Sequence, residues 1–117
     1  MTGMDVMNEL LRTLKVRGSL YFRATFSPPW GVRVPRHGTV ARFHIVKRGA
    51  CWVRLEGFGP PLRLEQGDLI VVPHGAEHHL LDDPASPLTT VDEVIEQSGF
   101  TGEGTLFWGG QIGRAHV

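Results

Sequence analysis

The chain of 117 residues has a single cysteine, Cys51. No internal disulfide can form, so a small secreted scaffold stapled by bridges is excluded, and a reducing compartment fits. Net charge is also missing, because Lys plus Arg and Asp plus Glu number 12 each. A balanced domain has no field that would hold nucleic acid or an acidic membrane surface. No apolar run approaches the ~20 residues that a membrane-spanning helix needs. The first residues lack the basic-then-apolar layout of a secretory leader. No Ser–His–Asp order and no phosphate-cradling glycine loop emerges. The expectation left by these absences is a soluble, cytoplasmic domain.

Turn formers are plentiful by contrast: 15 Gly and 8 Pro spread along the chain. At this length one domain can bury roughly two-thirds of its unfolded surface in a single core. Frequent turn residues favour an all-β domain. The period-two pattern of Leu20, Phe22, Ala24 and Phe26 predicts a strand from Ser19, broken by Ser27-Pro-Pro-Trp-Gly31. Further strands are predicted over residues 32–34, 40–46, 50–55, 62–64, 69–72, 78–81 and 105–108. Their spacing of 8–12 residues is the mark of a sandwich or barrel. The stretch that organises them is Gly67-Asp-Leu-Ile-Val-Val-Pro-His-Gly-Ala-Glu-His78. Its aliphatic run is too short for a helix, Pro73 ends the ladder for want of an N–H, and His74-Gly75 turns the chain into a new strand opening at His78.

Two helices are expected. Val6, Met7, Leu10, Leu11 and Leu14 recur at three and four residues, with Asp5 placed to cap the start and Gly18 to end it. That helix would cover a face of the sheet or form a dimer contact. A shorter one is predicted near residues 90–97, where Thr90 and Glu93 have capping-box spacing and Val91, Val94 and Ile95 supply an apolar side. The last six residues, 112–117, resemble one reading frame of a common short-read sequencing adapter. The expectation is therefore a domain over residues 1–111, C-terminally incomplete, followed by a non-native tail in which His116 carries no meaning.

Gly67, Pro73, Gly75 and His78 fill all four places of a motif that resembles the second cupin motif, with Asp82 where its terminal Asn usually stands. The first cupin motif is partly present in Gly38, His44 and Gly57, while its second histidine falls on Val46 and its glutamate on Ala50. Within cupins, residues 4–110 resemble the N-terminal effector-binding domain of AraC-type transcription regulators. The matching segments are Met4-Asp-Val-Met-Asn-Glu-Leu-Leu, Arg17-Gly-Ser-Leu-Tyr-Phe-Arg-Ala, Pro29-Trp-Gly, Ala41-Arg-Phe-His44, Gly49-Ala-Cys-Trp-Val-Arg-Leu55 and Gly67-Asp with Pro73-His-Gly. The fold implied is an all-β cupin, a jelly-roll-type barrel. Such regulators resemble a cupin sensor linked to a C-terminal pair of helix-turn-helix units, which this sequence does not show. DNA would be reached only through that missing domain, and the full-length protein is expected to be a homodimer.

The resemblance implies that His44 and His78 point into the barrel. By strand alternation Arg42 and Val46 share the side of His44, Leu80 shares that of His78, and Trp52 and Arg54 follow Ala50 inward unless the turn shifts the register. An inward arginine would suit a carboxylate or phosphate through its planar fork. The expected ligand-binding set is thus Arg42, His44, Val46, Trp52, Arg54, His78 and Leu80. Trp30 and Trp108 read as core or as an aromatic platform, and Cys51 as packing. A metal wants three or four protein ligands, and with Val46 and Ala50 in the other two places only two remain, so no metal, no cofactor and no catalytic residue is expected. The function implied is sensing of a small-molecule effector. The alternatives are a small metal-dependent cupin enzyme of dioxygenase or isomerase type, and a stand-alone binding cupin.

Overall fold

A computed structural model of the protein describes residues 5–6, 23–39 and 41–110. In chain order the elements are β1 (Asp5–Val6), β2 (Arg23–Ser27), β3 (Gly31–Val34), β4 (Arg42–Ile45), β5 (Ala50–Leu55), β6 (Leu62–Glu65), β7 (Leu69–Val72), β8 (His78–Leu81), β9 (Thr89–Thr90), α1 (Val91–Ser98) and β10 (Thr105–Gly109). They form a three-stranded sheet ordered β1-β2-β10, a five-stranded sheet ordered β6-β5-β8-β3-β9, and a two-stranded sheet of β4 and β7. Among the described residues these sheets do not close into one continuous barrel, but strand content and order are those of an all-β jelly-roll cupin.

Alternation along each strand decides which side chains meet in the middle. Ala24 and Phe26 of β2, Val32 and Val34 of β3, Cys51 and Val53 of β5, Leu80 of β8 and Leu106 of β10 are buried and pack with Trp30, Val46, Leu64 and Val94 in one apolar core. Cys51 lies inside that core as expected of a packing residue, and burial raises its thiol to about 12. The core also receives one face of α1, through Val94. Asp92 and Glu93 sit in the first turn of that helix, where its dipole favours negative charge. Gly99 closes it in the left-handed conformation at φ 76°. The capping-box spacing does not cap: the Thr90 hydroxyl donates to Glu93 Oε1 at 3.0 Å instead of accepting from the backbone.

The strand runs expected at 50–55, 69–72 and 78–81 form at those residues. At the N-terminus the expectation is corrected in part. Asp5 and Val6, read as the start of a helix, pair antiparallel with Thr25 and Ala24 of β2. Unpaired N–H and C=O groups along a sheet edge recruit backbone more strongly than local helical periodicity does. The remainder of that helical pattern lies outside the described residues, as do the first residues, 19–22, of the strand expected from Ser19, whose later part forms β2, and the tail at 112–117.

The turn into β8 is a point of close backbone approach. Gly75 has φ 63°, and a Cβ there would run into the carbonyl oxygens of His37 and Gly38. Its own carbonyl accepts from the His37 N–H at 3.0 Å. Gly57, at φ 83°, has open space around it. Gly75→Ala is therefore expected to destabilise the fold by about 3 kcal/mol, from backbone strain plus overpacking, against about 1 kcal/mol for Gly57→Ala. Urea unfolding of both variants checks this; equal losses would contradict the close approach at Gly75.

Candidate functional site

The two-stranded sheet sets one half of the site. In its antiparallel register Arg42 lies opposite Val72, Phe43 opposite Val71, His44 opposite Ile70 and Ile45 opposite Leu69. Phe43, Leu69 and Val71 are exposed while Val72 is fully buried, so Arg42 and His44 project from the inner face. Val46 continues that face and is buried. The other half comes from β8, which lies between β3 and β5 and is antiparallel to both. His78 and Leu80 turn inward and are buried at 0 % and 3 % exposure. The two histidines meet: His44 Nε2 and His78 Nε2 are 2.8 Å apart, with ring planes tilted by 55°.

The proton positions follow from the partners. His78 Nδ1 lies 3.0 Å from the Ala76 carbonyl, which can only accept, so Nδ1 carries the hydrogen. Burial holds both rings below the ordinary histidine range. For His44 the neighbouring His78 and then Arg42 add to that effect, giving a pKa of about 3. For His78 the carbonyl of Ala76 works against it, and Arg42 and His79 lower it further. With both rings neutral, His78 Nε2 is a bare acceptor and His44 Nε2–H is the donor between them. His44 Nδ1 is then a second bare acceptor. It is closed off from solvent and has no hydrogen-bond partner.

Trp52 and Arg54 do not join the pair, which corrects the inward placement expected for them. Gly49 turns the chain at φ 78° ahead of β5, and the strand then buries Cys51 and Val53 instead. Apolar side chains fill that interior without the desolvation cost an arginine would bring. Trp52 faces the other side of the sheet, where the Arg63 guanidinium sits 5.6 Å from its ring centroid. Arg54 Nε donates to His79 Nδ1 at 3.2 Å, and its NH1 group donates to the Pro84 carbonyl at 3.1 Å. Trp30 is core, stacked on Phe26 with centroids 4.3 Å apart, and Trp108 packs against the core from a partly buried position.

Sequence reasoning missed the polar row on that outer face. Arg33, His79 and Arg54 stand in direct register across β3, β8 and β5. Glu77 Oε2 accepts from Arg33 Nε at 3.0 Å and from His79 Nε2 at 3.2 Å. The hydrogen bonds from Arg33 and His79 hold its carboxyl below the usual range. The only signal available was that two adjacent histidines in a strand must point opposite ways; which arginines flank the outer one depends on register.

Among the described residues no cluster of three or more His, Cys, Asp or Glu is placed to hold a metal ion. Two imidazoles fall short of the three or four protein ligands of a structural or catalytic site, so the described residues alone do not fit a resident metal. The depressed pKa values fix a sign for stability. Unfolded, both histidines take up protons near 6.5; folded, they resist. The unfolded chain therefore binds more protons below that pH. The contribution of His44 is complete above 6.5 and is lost as pH falls towards about 3, and His78, also lowered, acts in the same direction. His44→Gln is expected to flatten the loss of stability between pH 7 and pH 4, measured as the shift in urea midpoint. An unchanged slope would mean that the pair is not neutral in the fold.

The sequence profile described as cupin matches residues 5–116. A Streptomyces lividans protein named "Putative AraC-like transcription regulator" is 31% identical over 83 residues, which is 69% of this chain and 26% of the relative. The chain thus spans about a quarter of the length of the regulator it matches. No solved structure matches it significantly. The strand order, the paired histidines at the two motif positions and a profile match over nearly the whole chain give one conclusion: the chain belongs to the cupin family.

Proposed function

We propose that this cupin domain is the effector-sensing part of an AraC-type transcription regulator and binds a small molecule between β4 and β8. The observation that carries the reading is the neutral His44–His78 pair with one acceptor left bare, in a chain similar to a regulator of that name. Arg42, His44, Val46, His78 and Leu80 project on this side and would line the site. Sensing requires that the effector favour one of two arrangements, of the domain against a partner subunit or against a DNA-binding unit. The regulator is read as a homodimer that touches DNA through another domain, and residues 1–111 as its sensing unit with an adapter-derived tail at 112–117. No helix among the described residues is long and apolar enough to cross a membrane.

Screening the full chain against a metabolite library by thermal unfolding tests this. A true effector at about a hundredfold excess over its Kd stabilises by about 2.7 kcal/mol, which raises Tm by roughly 10 °C. His44→Gln should abolish that rise. Near-stoichiometric iron, manganese or zinc in the purified protein, lost on His44→Ala and His78→Ala, would replace sensing by a metal-dependent enzyme.

A further inference from the structure

Arg42 sits half-buried on the inner face of β4, two residues from His44, and its guanidinium makes no hydrogen bond or ion pair among the described residues. Every other arginine on the neighbouring strands is matched: Arg33 by Glu77, Arg63 by Glu65, and Arg54 by His79 and the Pro84 carbonyl. A partly desolvated guanidinium without an acceptor is unfavourable unless something anionic completes it. Beside it lies the second unmatched group, the closed-off acceptor His44 Nδ1. Directly opposite Arg42 on β7 is the apolar Val72, and no carboxylate stands on the inner faces of β4, β7 or β8.

We infer that the effector is a small hydroxycarboxylate, whose carboxylate is held by Arg42 and whose hydroxyl donates to His44 Nδ1. This rests on the sensing reading above and narrows it. The charge count selects the carboxylate over a phosphate monoester. One arginine balances one negative charge, whereas a phosphate monoester brings about −1.5 to −2 at neutral pH. The histidines add no compensating charge, since burial and Arg42 itself keep them neutral. A donor is selected because the free nitrogen can only accept, and a neutral hydroxyl is favoured over an ammonium, whose charge would be buried beside the Arg42 cation. An ether or a second carboxylate would leave it unmatched. The inner face is closed by Val46, Val72 and Leu80, so the rest of such a molecule would be small and apolar.

The test uses the full chain with its histidine and arginine side chains labelled with nitrogen-15. In the free protein His44 Nδ1 should carry no proton and His78 Nδ1 should carry one; a protonated His44 Nδ1 overturns the inference outright. Four probes then separate the two contacts: lactate, propionate without the hydroxyl, lactamide without the charge, and glycerol phosphate as the more highly charged anion. Lactate should shift both Arg42 Nε and His44 Nδ1, and bind roughly tenfold more tightly than propionate or lactamide. Arg42→Gln should remove the preference for lactate over lactamide, keep that over propionate, and leave lactamide binding unchanged. If lactamide, propionate or glycerol phosphate bind at the pair as tightly as lactate, the hydroxycarboxylate class is wrong while the interior site stands. If none of the four moves either histidine or Arg42, both the class and the sensing site fall.

Discussion

The contact between His44 Nε2 and His78 Nε2 is a side-chain bridge between two sheets that share no backbone ladder. His44 belongs to the two-stranded sheet and His78 to the middle of the five-stranded one. A 2.8 Å contact fixes how those sheets face each other, and it exists only if two separate registers are right. A slip of one residue in β4 against β7 would offer Phe43 or Ile45 to the interior; a slip in β8 would offer His79. Each slip would also bury or expose a whole row of neighbours. The apolar core enforces the histidine pair, and the pair in turn states the core's geometry.

His78 and His79 show what a strand does with adjacent identical residues. The outer ring is saturated: Arg54 donates to its Nδ1, which forces the hydrogen onto Nε2, and that hydrogen is donated to Glu77. Glu77 is held in turn by Arg33. Every side chain in that row has a partner, as a structural network requires. The inner ring system stops one bond short. His78 spends its Nδ1 hydrogen on the Ala76 carbonyl and accepts from His44, leaving His44 Nδ1 with nothing. Two histidines side by side in sequence thus divide into a finished scaffold and an unfinished site.

Much of this was legible in the chain itself. Gly67, Pro73, Gly75 and His78 announce two strands joined by a turn because each has a specific backbone or hydrogen-bonding reason to be there, and β7 and β8 form on either side of that turn; they do not make the expected hairpin, since β7 pairs with β4 and β8 with β3 and β5. The facing of His44 and His78 followed from the motif. What could not be read was anything that depends on pairing at a distance. Trp52 and Arg54 were placed inward by counting from Ala50, but the left-handed turn at Gly49 hands the interior to Cys51 and Val53. The parallel pairing of β10 with β2, and of β9 with β3, has no local signature at all. Asp5 looked like a helix cap because its own neighbours are helical in pattern; its partner, Thr25, lies far along the chain.

The same peptide segment serves the site and the scaffold, and this bears on how the proposed sensing could leave the interior. The turn from Pro73 to Glu77 contributes the Ala76 carbonyl that orients His78, and Glu77, the hub of the outer row. Its neighbour Gly75 is pressed against His37 and Gly38, with no room even for a methyl group. A ligand that drew His44 away from His78 would change the acceptor load on one ring nitrogen. The carbonyl bond on the other nitrogen ties that ring to a turn with no slack. Displacement is then more readily absorbed along the backbone, towards Glu77 and Arg33, than at the tightly packed Gly75. Coupling of this kind needs an element with two arrangements. The Arg33–Glu77–His79–Arg54 row, part-exposed and built from bonds that can be exchanged for water, is better suited to that than the close-packed core beneath it.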